Sequence, residues 1–68
     1  MTGPEFSAIR RRLGLTADAF GRALGFGGNR NSLQSRISDM EAGRRTITPT
    51  VARLAQMYDR AGVPNEWA

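Results

Sequence analysis

Residues 29–45 read NRNSLQSRISDMEAGRR, and this segment decides the fold. Leu33, Ile37 and Met40 are spaced four and three residues apart, which places them on one narrow face of a helix. The other side chains are small or polar, and an Ala-Gly pair near the end of the segment terminates the helix. The pattern predicts a short polar helix with a thin buried stripe.

Capping chemistry predicts where this helix begins. Asn31 can accept a hydrogen bond at a helix start, and Gln34 follows three residues later, as in a capping box. The preceding segment, Phe26-Gly27-Gly28, supplies two glycines that permit a sharp change of direction. We therefore predict that the helix starts near Asn31, after a turn beneath which Phe26 enters the core.

A polar helix of this kind suits the groove of a nucleic acid. Its small side chains let the backbone approach a duplex, and its Asn, Gln, Ser and Arg side chains carry the donors and acceptors that base edges require. Arg44 and Arg45 follow the helix directly and are well placed for backbone phosphates. The alternative is an ordinary surface helix with a polar face.

The charge balance points the same way. The 68 residues include ten arginines, no lysine and six acidic residues, which gives a net charge of +4. The planar fork of arginine binds phosphate and guanine edges at two points, and a small basic domain indicates a nucleic-acid partner. Genomic base composition is an alternative explanation for the missing lysine, but it does not explain the net charge.

The residues that the chain lacks exclude several function classes. Without cysteine or histidine there is no disulfide framework, no thiolate zinc site and no histidine general base. We expect neither an enzyme nor a bound metal or other cofactor. No apolar run approaches the roughly 18 residues of a membrane span, and the N-terminus lacks the apolar core of a signal peptide. The expected location is the cytoplasm, with no membrane contact.

Two helices are predicted before this segment. Thr2, with Glu5 three residues later, is expected to cap the first helix, and Gly14 to end it. Thr16 is expected to cap the second. Gly21, inside the second helix, indicates close approach to another backbone, in the third or the fourth helix.

One further helix is predicted after the segment. Thr48 and Pro49 start it, and Gly62 and Pro64 end it. Its apolar residues keep i, i+3, i+4, i+7 spacing: Val51, Leu54, Ala55 and Tyr58. The expected fold is all-α, a compact four- to five-helix bundle in a single domain over residues 1–68, with a helical core over 2–62 and a tail over 63–68.

Two short helices joined by a tight turn form a helix-turn-helix pattern. Over about residues 5–62 the chain resembles the Cro/phage-repressor (XRE-like) family. The resemblance is carried by Ile9-Arg10, by Leu15-Thr16 leading into Phe20, by Leu24-Gly25, by Thr48-Pro49 and, most sharply, by residues 37–45, ISDMEAGRR. It implies a lambda-repressor-like fold whose recognition helix ends in that last segment.

The chain departs from the family pattern in two places. Ala17 stands where the family commonly has a glutamine that binds phosphate. The segment between Leu24 and Gly43 is also longer than usual. Either the turn bulges or the recognition helix gains length at its N-terminus, and the two outcomes put different side chains against the bases.

The resemblance implies which side chains meet DNA. The candidates for base contacts are Asn31, Ser32, Gln34, Ser35, Arg36 and Asp39. The candidates for phosphate contacts are Asn29, Arg30, Arg44, Arg45 and Thr46. Asp39 would accept from a cytosine amino group or orient Arg36, and Glu41 is expected to pair with an arginine or with the backbone at the Gly43 turn.

The function implied is that of a sequence-specific DNA-binding transcriptional regulator. A homodimeric repressor would read a palindromic, inverted-repeat operator in double-stranded DNA, with its recognition helices about 34 Å apart. The resemblance suggests a phage or other mobile element whose regulator controls its own operon, anti-CRISPR-associated repressors being one example. The candidates for the dimer interface are Met57, Tyr58, Val63 and Trp67, and no small-molecule effector is evident.

Two alternatives remain open. One is a protein-interaction module, antitoxin-like or inhibitor-like, that only shares the fold, since a fold does not fix a function. Its contact surface would be the tail around Trp67, because tryptophan is common at interface hot spots. The other is RNA binding, which is disfavoured because the chain has few aromatic residues on which bases could stack.

Overall fold

The computed structural model describes residues 1–67 and is all-helical over that range, as predicted. It measures 28 × 25 × 19 Å along its principal axes. The elements are α1, Gly3–Leu13; α2, Ala17–Ala23; α3, Arg30–Glu41; α4, Pro49–Ala61; and a 3₁₀ turn, Asn65–Trp67. The last residue of the predicted domain and tail, Ala68, lies outside the described residues.

Threonine side chains begin three of the helices, as predicted from the capping pattern. Thr2 Oγ1 accepts a hydrogen bond from Glu5 N at 3.2 Å, and the Glu5 carboxylate accepts one from Thr2 N at 3.0 Å, which completes the capping box. The Thr16 and Thr48 side chains cap α2 and α4 by accepting from Ala19 N and Val51 N, without the reciprocal bond of a capping box. Gly14 ends α1 with a φ of 71°, because a left-handed residue there lets the chain leave the helix.

The third helix begins earlier than predicted. Asn29, not Asn31, is the N-cap: its Oδ1 accepts from Ser32 N at 2.9 Å, and Arg30 is the first helical residue. The capping box proposed for Gln34 is therefore wrong. Gly28 explains the difference, because its φ of 115° redirects the chain and leaves Asn29 in the extended conformation that an N-cap needs.

The buried face of α3 carries the predicted stripe. Leu33, Ile37 and Met40 are all buried. Helix α2 packs against α3, and α1 packs against both α3 and α4. Gly21 faces α3, one of the two helices predicted, but the contact is with side chains and not with the backbone as predicted: a Cβ at Gly21 would lie 3.1 Å from Leu33 Cδ2.

The core lies between these helices. Phe6 of α1 and Phe20 of α2 are fully buried, and their ring centroids are 4.9 Å apart. Val51, Ala55 and Tyr58 close the core from α4, so the predicted stripe of that helix is buried except at Leu54, which is half-buried. With its buried stripe set against this core, α3 presents its remaining side chains outward.

Candidate nucleic-acid interface

The outward face of α3 consists of short uncharged polar side chains. Asn31, Ser32 and Ser35, three of the residues predicted to contact bases, are all exposed. Ser38 is exposed as well, and the sequence-based candidates did not include it. Its spacing gives the signal, because a residue seven after Asn31 and three after Ser35 lies on the same helix face.

Gln34 and Arg36 lie on the flanks of this face and are half-buried. The Arg36 guanidinium carbon lies 4.9 Å from the centroid of the Phe26 ring, a cation–π arrangement. Phe26 is partly buried and packs against the core, as predicted for the residue beneath the turn.

Asp39 and Arg44 form an ion pair at the far end of the same helix. The Arg44 Nε donates to Asp39 Oδ1 at 3.0 Å. The arginine that Asp39 orients is therefore Arg44 and not Arg36, the partner suggested from the sequence. The backbone supports the same corner, because the Arg44 and Arg45 amides both donate to the Asp39 carbonyl oxygen, at 2.8 and 3.2 Å.

The residues predicted to contact phosphate lie at both ends of α3. At its start, Asn29 uses its side-chain oxygen for the cap, and the Arg30 side chain is 73% exposed, with its Nε 3.7 Å from Asp18 Oδ2. After its end, Arg45 and Thr46 are exposed, and neither side chain forms a hydrogen bond or ion pair within residues 1–67. Basic groups thus frame the uncharged face.

A buried carboxylate supports the start of α3. Asp18 of α2 is buried, and its Oδ2 accepts from Arg22 Nη1 at 3.0 Å besides facing Arg30. The neighbouring Thr16 hydroxyl, followed by the hydrogen bond from Arg22, lowers the pKa of Asp18. The carboxylate is consequently ionised at neutral pH, and it holds two arginines beside the α2–α3 turn.

The end of α3 is fixed to α1. Arg10 donates to Glu41 through Nε at 2.6 Å and Nη2 at 3.3 Å, and to the Leu15 carbonyl oxygen through Nη1 at 3.0 Å. The two side chains are only 20% and 17% exposed, and the hydrogen bond to Glu41 raises the pKa of Arg10. The expectation that Glu41 pairs with an arginine is confirmed.

The backbones of α1 and α3 also touch at this point. A Cβ at Gly3 would lie 2.8 Å from the Glu41 carbonyl carbon and 2.9 Å from the Met40 carbonyl oxygen, distances that real Cβ atoms do not adopt. Sequence reasoning missed this contact because Gly3 lies next to Pro4, where a glycine is explained by the helix start alone. The close contact at Gly3 and the two-point ion pair between Arg10 and Glu41 thus fix the end of α3 against α1.

The four residues predicted for a dimer interface differ in exposure. Met57 and Trp67 are 55% and 51% exposed, and Val63 is half-buried. Tyr58 is 3% exposed, its hydroxyl donates to the Ala23 carbonyl oxygen, and burial raises its pKa. Trp67 folds back towards α4, with its ring edge-on to Tyr58 at 6.5 Å between centroids.

An open groove of about 290 Å³ lies between the end of α2, α4 and the tail. Apolar side chains and Arg22 line it: Arg22, Ala23, Leu24, Gly25, Leu54, Tyr58 and Trp67. Trp67, about half of whose surface is exposed to solvent, lies at this apolar groove. This is the largest exposed aromatic surface of the described residues.

None of the protein-family models, curated proteins and solved structures with which the chain was compared matches it. Across residues 1–67, no helix combines the length and the apolar character needed to cross a membrane. In the same range, no three acidic, cysteine or histidine side chains are grouped as metal ligands would be.

Proposed function

We propose that the protein is a sequence-specific DNA-binding regulator whose helix α3 enters the major groove. The observation that carries the proposal is the composition of the outward face of α3, which is exposed, uncharged and polar between basic ends. Such side chains match the donor and acceptor pattern of base edges, and their small size lets the helix backbone come close. The packed pair α2 and α3 then serves as a helix-turn-helix.

The turn between these helices is longer than in the usual motif. Residues 24–29 connect α2 to α3, six residues where three to four are typical. Helix α3 is twelve residues long. The turn therefore takes up part of the extra length seen in the sequence, and the first two turns of α3 carry most of the base-contact candidates.

Electrostatics supports the proposal at the ends of α3. Arg30 lies before the polar face, and Arg44 and Arg45 lie after it, so phosphates on both sides of a groove would meet a guanidinium group. These contacts would set register and most of the affinity, whereas Asn31, Ser35, Gln34 and Arg36 would read the sequence.

The proposed regulator is a phage-derived repressor that acts in the cytoplasm as a homodimer, with one subunit on each operator half-site. A single helix covers only a few base pairs, and a two-fold dimer would read an inverted repeat with half-sites one duplex turn apart. Repression would follow from occlusion of the promoter by the bound dimer. Control of its own operon, as in anti-CRISPR-associated repressors, is one form of this role.

Selection from a random duplex pool at two salt concentrations tests the proposal. A palindromic motif, bound with a steep loss of affinity as salt rises, is the expected result. Arg45→Ala should weaken all duplexes alike and reduce the salt slope by about one, because this side chain faces phosphate. A pool that shows no enrichment would contradict sequence-specific DNA binding.

A second function is favoured by the groove beside Trp67. An exposed tryptophan bordering an apolar groove is the composition of a protein-binding hot spot, so the chain could be an antitoxin-like or inhibitor-like interaction module. Deleting residues 63–68 separates the two functions. Loss of a protein partner with DNA binding intact would favour the interaction module, and loss of operator binding together with dimerisation would favour the regulator.

A further inference from the structure

Arg36 differs from the other arginines near α3 in what holds it. Arg30 and Arg44 face carboxylates, whereas within residues 1–67 Arg36 forms neither an ion pair nor a hydrogen bond. Its contact is with the Phe26 ring, 4.9 Å from the guanidinium carbon. Phe26 belongs to the long turn between α2 and α3, so this turn supplies a surface against which Arg36 lies.

A contact with a ring leaves the chemistry of arginine available. The guanidinium carbon lies over the Phe26 ring, and an aromatic ring accepts no conventional hydrogen bond, so the five N–H donors of Arg36 stay available for another partner. A carboxylate partner would instead occupy those donors, as Asp39 does for Arg44. An arginine held over a ring is therefore restrained and still able to donate two parallel hydrogen bonds.

Phe26 is itself held in place. Its amide donates to the Gly21 carbonyl oxygen at 3.0 Å, and its ring packs against the core. Gly25 and Gly28, with φ of 87° and 115°, bend the chain on either side of it. Because the ring is fixed, Arg36 loses less rotamer freedom on binding than a solvated arginine would.

We propose that Phe26 is a positioning residue that presents Arg36 to the O6 and N7 atoms of a guanine in the major groove. The proposal rests on the DNA-binding function argued above and adds a base and a supporting residue to it. Two parallel N–H donors match those two acceptors. Each half-site should therefore contain one G·C pair whose recognition depends on Phe26, a residue that need not touch DNA.

The test compares variants at Phe26 in the same duplex selection. Phe26→Leu keeps an apolar side chain in the core but removes the ring face, and the preference for guanine at one position should fall about two- to fivefold. Phe26→Tyr retains the ring and should retain the preference. In an Arg36→Ala background, Phe26→Leu should produce no further change at that position, because its effect passes through Arg36.

The outcomes separate this proposal from the proposed function. Uniform weakening for all sequences in Phe26→Leu would overturn it, and so would an equal loss in the Arg36→Ala background. A parent chain that enriches no duplex would instead overturn DNA recognition and this assignment with it. Melting temperatures of the four variants, the double variant included, show whether a lost preference reflects unfolding, and Phe26→Tyr supplies the comparison if Phe26→Leu is unstable.

Discussion

The arginines near α3 differ in role according to whether a carboxylate pairs with them. Arg10 is tied to Glu41 in a partly buried two-point pair, which makes it a structural residue. Arg44 is exposed but shares its charge with Asp39, so its attraction for a phosphate is reduced. Arg45 has no such neighbour within residues 1–67 and presents a full charge.

Removing the Asp39 carboxylate should strengthen DNA binding. Asp39→Asn removes a negative charge near the end of α3 and frees Arg44, so the affinity for all duplexes should rise and the salt slope should steepen. Titration at several salt concentrations measures both. Glu66→Gln removes one exposed carboxylate from the tail and is the matched control. A loss of affinity confined to one operator position would instead show that Asp39 reads a base.

Residues close in sequence were predictable, and distant partners were not. Capping by Thr2, Thr16 and Thr48 follows from chemistry within three residues. The pairing of Arg10 with Glu41 spans 31 residues and depends on how α1 crosses α3. Similarly, the polarity of α3 could be predicted from the sequence of the helix itself. The partner of Asp39 could not, because it depends on how the chain turns after Gly43.

At the scale of the element, α3 is defined by the asparagine that starts it. Asn29 and Asn31 are chemically equal as caps, and the sequence favoured the wrong one because it does not show the backbone angle of Gly28. The structure assigns separate tasks to them, since Asn29 caps and Asn31 faces outward.

Alanine at each asparagine should separate these tasks. Asn29→Ala should lower the free energy of unfolding by about 1 kcal/mol, because the Ser32 amide loses its acceptor. Asn31→Ala should change stability by less than about 0.5 kcal/mol and weaken operator binding. Denaturant unfolding and DNA titration of both variants check this. Equal destabilisation by the two changes would contradict the assignment of the cap.

The contact between α1 and α3 should make Gly3 intolerant of a side chain. Gly3→Ala would force a methyl group against the carbonyls of Met40 and Glu41, so we expect a loss of at least about 2 kcal/mol. Gly27→Ala is the control: a Cβ there meets nothing within 4 Å, and its φ is not positive. That variant should be neutral or slightly stabilised. Thermal or denaturant unfolding distinguishes the two, and a fully stable Gly3→Ala protein would mean that α1 and α3 are farther apart.

For the whole molecule, carboxylates set the response to acid. The neighbouring Thr16 hydroxyl and the hydrogen bond from Arg22 lower the pKa of Asp18, and the hydrogen bond from Arg12 lowers that of Asp59. The unfolded chain therefore takes up protons at higher pH than the folded chain, so this stability is present above about pH 4 and is lost as the pH falls through the folded values.

The melting temperature should accordingly stay level from pH 7 to about pH 5 and fall below about pH 4. Asp59→Asn should make that fall shallower, because it removes one of the carboxyl groups whose pKa is lowered by folding. Calorimetry over this range measures both curves. A parent protein equally stable at pH 5 and pH 2.5 would contradict the role of these ion pairs.

Variants on the surface of α4 test the proposed dimer. Met57→Glu places a charge at the most exposed apolar side chain of the helix, and it should convert the dimer into monomers and sharply weaken palindrome binding while half-site contacts persist. Thr50→Glu adds the same charge two turns away and should not. Sedimentation at micromolar concentration measures the state of each. A parent protein that sediments as a monomer at high micromolar concentration would contradict the proposed dimer.

The clamp formed by Gly3 and Arg10 makes α3 unequal at its two ends. Its last turn is fixed to α1 by backbone contact and by an ion pair, whereas its first turn is held by the Asn29 cap and by Leu33 packing at Gly21 of α2. The contact with α1 leaves little room for adjustment because backbone meets backbone there, whereas the contact with α2 is made by a side chain that can shift. In the proposed role, a mismatched operator would therefore displace the first turn of α3 more readily than the last, which would keep its place on the DNA backbone.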